Sequence, residues 1–63
     1  MRFKPIRPGI SELIAGPCRI VADYNRGVYI IQTSGETIES GRIKSKHTFL
    51  YYIRNWIKSM GLS

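Results

Sequence analysis

The sequence predicts an α+β domain: a three-stranded antiparallel β-meander, over about residues 18–24, 28–33 and 36–43, packed against one C-terminal helix over about 46–60. Three observations predict it. Two runs, "CRIVADY" and "VYIIQT", have the β-branched content of strands. "NRG" and "SG" stand where tight hairpin connections would. The last stretch, "HTFLYYIRNWIKS", places its apolar residues at the helical period.

Residues 1–63 form one small domain on this reading, with 1–17 as a basic extended arm and a short turn ahead of the sheet. Pro5 and the Pro8-Gly9 pair read as an arm entering a turn. "SELIA" suits one helical turn with Ser11 as N-cap, stopped by Gly16-Pro17. The first strand follows, and Gly27 takes the left-handed position of the "NRG" loop. "VYIIQT" is apolar on both faces, so something is expected to cover the side away from the helix. Ile6, Ile10, Leu13 and Ile14 are the intramolecular candidates, and a homodimer through that helix-free face is the next. "ETIES" is the third strand. Ile38 and Ile43 are spaced for opposite faces, and a bulge at Ser40-Gly41 would restore them to one. Ser45 is the expected helix N-cap and Gly61 its stop.

At 100° per residue, Phe49, Leu50, Ile53, Trp56, Ile57 and Met60 fall within an arc of about 120°, the width a helix needs to lie on a sheet. Tyr52 lies on its border. His47, Tyr51, Arg54 and Lys58 form a stripe about 60° wide on the opposite side. That stripe mixes cations with a tyrosine and is a candidate interaction surface; a solvated helix face is the plain alternative.

Net charge is +6, and its distribution is uneven. Residues 1–8 carry Arg2, Lys4 and Arg7 with no acid, and residues 42–63 carry Arg42, Lys44, Lys46, Arg54 and Lys58 with none. All four acids lie between. Two purely basic ends favour a polyanion or an acidic surface as partner. Arg2, Lys4, Arg7, Arg42, Lys44 and Lys46 are the candidate phosphate contacts, the last three beside the positive end of the helix dipole.

Other chemistry is poorly served. Cys18 is the only cysteine, so neither an internal disulfide nor a cysteine-based zinc site can form. His47 has no second ligand at metal spacing. No nucleophile, base and acid follow a catalytic motif, and the glycines form no phosphate loop. No enzyme, cofactor or metal is expected. No apolar run reaches the roughly 18 residues of a membrane span, and the N-terminus lacks a signal-peptide h-region. A cytoplasmic protein without a membrane partner is the expectation.

The stretch "GVYIIQTSGETIESGRIKSKHTFLYYIRNWI" resembles the last part of three-stranded-sheet-plus-helix modules, notably the arm-type DNA-binding domains of tyrosine-family integrases and plant AP2 domains. The match lies in a hairpin followed by a G-x-x-x-[ST] helix start, here Gly41 to Ser45, and extends over about residues 18–58. The resemblance implies that the helix-free sheet face enters a DNA major groove, with Arg19, Arg26, Tyr29 and Arg42 as its readers. Such readers carry more cations than this, and Val21 and Ile31 beside them look like residues to be covered. Double-stranded-RNA-binding domains also end in strands and a helix, but their first helix is missing here. Two functions therefore stand: a small basic binder of duplex DNA, or a protein-interaction module, an adaptor or inhibitor of phage-like or mobile-element type.

Overall fold

A computed structural model describes residues 2–62; Met1 and Ser63, the ends of the expected domain, lie outside the described residues. Five strands, β1 (Lys4–Arg7), β2 (Ile10–Ala15), β3 (Cys18–Asp23), β4 (Val28–Thr33) and β5 (Glu36–Arg42), precede one helix, α1 (Lys46–Ser59). The strands form one antiparallel sheet in sequence order, β1-β2-β3-β4-β5. The class is as expected. The sheet, however, has five strands and not three.

Both additional strands come from the segment expected to be an arm and a helical turn. "SELIA" pairs along its whole length with β3, Leu13 opposite Ile20 and Ala15 opposite Cys18. In this register Leu13 and Ala15 are buried while Ile14 is 60% exposed, a strand's alternation. Pro5 sits in β1, an edge strand, where its missing N–H costs no ladder bond on the outer side. The N-terminal segment thus widens the sheet and does not fold over it. Ile6 and Ile14 remain exposed, and the helix-free face is uncovered.

Helix α1 covers the other face. Ile20, Ile31 and Ile53 are completely buried where sheet and helix meet, joined by Leu13, Cys18, Ala22 and Phe49. Leu50, Trp56 and Ile57 pack against this core at its margin. Cross-strand register sets Tyr29 and Ile31 on the helix side with Ala22 and Ile20, so neither belongs to the open face on which they were expected. Val21, Val28 and Ile30 lie there instead, with Arg19 between Glu12 and Gln32.

The turns follow their residues. Ser34 and Gly35 both have positive φ, 52° and 77°, the two-residue turn whose twist matches paired strands. Gly27 is left-handed at φ 68°. Ser45 caps α1, its Oγ accepting from the Thr48 N–H at 3.3 Å. At the other end the Gly61 and Leu62 N–H groups donate back to Lys58 O and Ile57 O, a Schellman closure. The chain therefore reverses at Gly61, φ 70°, just after Met60, which is the C-cap and 57% exposed. Met60 was expected in the core, but Leu62 packs there in its place.

The bulge in β5 also differs from expectation. Ile31 faces Glu39 and Gln32 faces Thr37, so Ile38 is the extra residue and Ser40-Gly41 pairs regularly. Ile38 stays exposed while Ile43 packs on the core; the two are not brought to one face.

Candidate nucleic-acid interface

Antiparallel order brings the ends of β1, β3 and β5 to one end of the sheet, with the turns that follow them. Hydrogen bonds tie these connections together. The Tyr24 N–H donates to Gly9 O at 2.8 Å, and the Ile43 N–H donates to Gly27 O at 2.7 Å. The Asn25 side-chain amide donates to Pro8 O at 2.9 Å. Arg7, Arg26, Arg42 and Lys44 therefore stand at this end, and Lys46 opens the helix there with its Nζ 5.4 Å from the centre of the Tyr24 ring. The helix N-terminus adds its partial positive charge.

Of the six candidate phosphate contacts, the structure brings Arg7, Arg42, Lys44 and Lys46 to this end and adds Arg26, which the charge count alone did not single out. Arg2 and Lys4 lie elsewhere, along the β1 edge, with Lys4 paired opposite Glu12. The acid that shares the basic end is already engaged. Asp23 accepts from the N–H groups of Asn25 and Arg26, at 3.0 and 3.1 Å, and lies 3.9 Å from the Arg26 guanidinium. Glu12 pairs with Arg19 on the sheet. Among the described residues the other eight of the ten Lys and Arg side chains have no carboxylate partner.

Glu39 is held by two tyrosines. The Tyr29 and Tyr52 hydroxyls both donate to its Oε2, at 2.8 and 2.6 Å. Burial, then the neighbouring carboxylate, push the Tyr29 hydroxyl well above the usual tyrosine range. The Glu39 hydrogen bond, more than burial, raises Tyr52. Burial alone raises Tyr24, whose hydroxyl is enclosed without a hydrogen-bond partner among the described residues. A tyrosine with a raised folded-state pKa stabilises the protein fully below its unfolded value of about 10, and that contribution is lost as pH climbs through the folded values. Thermal unfolding followed across alkaline pH should show the melting temperature falling above about pH 10. The double variant Tyr29→Phe/Tyr52→Phe should flatten that fall.

The sequence did not expose this arrangement. The bulge at Ile38 turns Glu39 toward the helix, and the missing Cβ at Gly41 lets the Tyr29 ring lie close over β5. A Cβ there would stand 2.7 Å from a Tyr29 ring carbon. The odd spacing of Ile38 and Ile43 signalled a bulge without locating it.

Between these features lies a cavity of about 270 Å³. Tyr29, Phe49 and Tyr52 line it, together with Arg42 and Lys44 and, from the start of α1, Ser45 and Thr48. The Tyr29 ring centre is 5.1 Å from that of Phe49 and 6.2 Å from that of Tyr52. On the outer face of α1, His47, Tyr51 and Arg54 line a smaller hollow of about 180 Å³. Lys58, the fourth member of the expected stripe, lies beyond it.

No three His, Cys, Asp or Glu side chains cluster as a metal site among the described residues. Among the described residues no helix is long and apolar enough to cross a membrane. The chain matches no family model, no curated protein and no solved structure.

Proposed function

We propose that this is a non-enzymatic nucleic-acid-binding protein that grips duplex DNA by its phosphates. One observation carries the reading: Arg7, Arg26, Arg42, Lys44 and Lys46 converge on one end of the sheet beside the helix N-terminus, and the one carboxylate among them is engaged by backbone donors. Four strand spacings separate β1 from β5, so the row from Arg7 to Arg42 is about 19 Å long. A row of that length reaches phosphates on both sides of a major groove about 12 Å wide. The integrase-like docking of the helix-free face is a poorer fit. That face is open, but it is mainly Ile10, Ile14, Val21, Val28 and Ile30, and Arg19 on it is already paired with Glu12.

Phosphate contacts release condensed counterions, so log affinity should fall linearly with log salt, by about 0.9 for each phosphate neutralised. Fluorescence anisotropy of a labelled duplex, titrated at several salt concentrations, measures the slope. Five contacts give a slope of about −4 to −5. Absence of binding at low salt, or binding indifferent to salt, sinks the proposal.

The second reading, a protein-interaction module, draws on the uncovered apolar sheet face and the Tyr51/Arg54 hollow. Its partner would be an acidic protein surface, or a second copy of the chain on the sheet face. Retrieval of a partner from nuclease-treated extract, with retrieval abolished in an Ile14→Lys or Tyr51→Ala variant, would favour it.

A further inference from the structure

We infer that the cavity between β5 and the start of α1 receives one unstacked nucleotide, its base against Tyr29 and Tyr52 and its phosphate at Arg42 and Lys44. The inference rests on the nucleic-acid reading above and names the part of the polymer that this end of the protein would select. Three properties of the cavity carry it.

The first is the kind of wall. Three aromatic side chains line this hollow, whereas the neighbouring hollow beside Lys46 has two, Phe3 and Tyr24. Aromatic rings bind bases by stacking, which is open to any base because each has a π-face. The volume, about 270 Å³, lies just below the range of drug-sized pockets and suits one ring system with its sugar. A stacked duplex cannot enter.

The second is rigidity. Both tyrosine hydroxyls are fixed on Glu39, Tyr29 packs on Phe49, and Gly41 leaves room for the Tyr29 ring. Little side-chain freedom remains to be lost on binding. Tyr52 is nevertheless 43% exposed, so part of its ring is open to a ligand.

The third is polarity of charge. Glu39 faces the helix, while Arg42, three residues on and about 10 Å away, pairs with Val28 and lines the cavity from the end of β5. A phosphate is repelled from the Glu39 side and attracted to the Arg42 and Lys44 side. A nucleotide with its base toward Glu39 and its phosphate toward the cations satisfies both. The same cations belong to the row proposed to hold the duplex, so an extruded base would sit beside the backbone already bound.

The experiment compares three closed hairpin duplexes by anisotropy: fully paired, with a one-nucleotide bulge, and with the same bulge made abasic. The protein should bind the bulged duplex about five- to 150-fold more tightly than the abasic one, the range that stacking of a base on an aromatic side chain contributes. Tyr52→Leu should lose this gain and Tyr52→Phe should keep it, both binding the paired duplex as the parent does. Position 52 is exposed, so both variants are expected to fold, and their melting curves check it. Equal binding of bulged and abasic duplexes, or a gain that survives Tyr52→Leu, overturns the inference and leaves the duplex reading standing. No binding to any of the three sinks both. A nucleoside 5′-monophosphate that displaces the bulged duplex at a concentration comparable with the duplex's own affinity would assign the cavity to free nucleotides and overturn the polymer assignment.

Discussion

Ile53→Ala should leave much of the protein unfolded. Ile53 is completely buried between α1 and the sheet, and truncating such a side chain costs about 2–5 kcal/mol through reduced burial and the cavity left behind. A chain of 63 residues has roughly 3–9 kcal/mol in total, at the usual 0.05–0.15 kcal/mol per residue. Little neighbouring mass is available to collapse into the gap, because this sheet has a helix on one face only. Urea denaturation should show a large fall in midpoint. Ile53→Val should cost about 0.5–1.5 kcal/mol. Ile14→Ala is the informative contrast. On the open face the truncation should change stability by no more than about 0.5 kcal/mol. Were that face covered, the cost would approach that at Ile53.

Replacing Arg42, Lys44 and Lys46 together with glutamine should reduce the salt slope for duplex binding by about 2.7, at about 0.9 for each phosphate no longer neutralised. Affinity at low salt should fall by orders of magnitude, with the same factor for every duplex sequence, because binding to phosphates carries no base information. The same triple change on the outer helix, at His47, Arg54 and Lys58, removes two formal charges where the first removes three, and should lower the slope by far less than two-thirds as much. Losses in the proportion three to two, matching the charges removed, would mean that the net charge, and not the basic end, holds the polymer. All six positions are exposed, so the melting temperature should move little in either variant.

The helix and its hairpins were legible because each rests on local chemistry. Ser45, Gly61, the Ser34-Gly35 turn and the apolar arc of Phe49, Ile53 and Trp56 need only their neighbours in the chain to be read. The first two strands were not, for an equally local reason. Ile10, Leu13 and Ile14 are spaced for a helix as readily as for a strand, and only pairing with β3 decides between them. Pro5 and Pro8 read as breakers, yet a proline is tolerated on an outermost strand. Met60 shows where the wheel ends: beyond the last full turn the chain reverses at Gly61, and Leu62 arrives where the periodicity placed Met60.

The candidate site divides in the same way. Its charges were visible in the composition of the two ends, but their convergence depends on strand count. With five strands, Arg7 and Arg42 finish at one end on opposite edges; a free arm would have fixed no such relation. The aromatic cavity needs Tyr29 on the helix side, the bulge at Ile38 and the absent Cβ of Gly41 at once. No single residue announces that combination.

Two kinks in the hydrogen-bond ladder have a consequence for how the molecule behaves in a crowd. An open sheet ends in two rows of unpaired amides and carbonyls, each a template on which another chain can add a strand. Here β1 carries Pro5, Lys4 and Arg7 and a break in register between Pro5 and Arg7, while β5 is broken at Ile38. Neither rim presents a straight run long enough for another strand to zip along. With an apolar face left bare, those interruptions, together with like-charge repulsion between copies at +6, work against edge-to-edge growth.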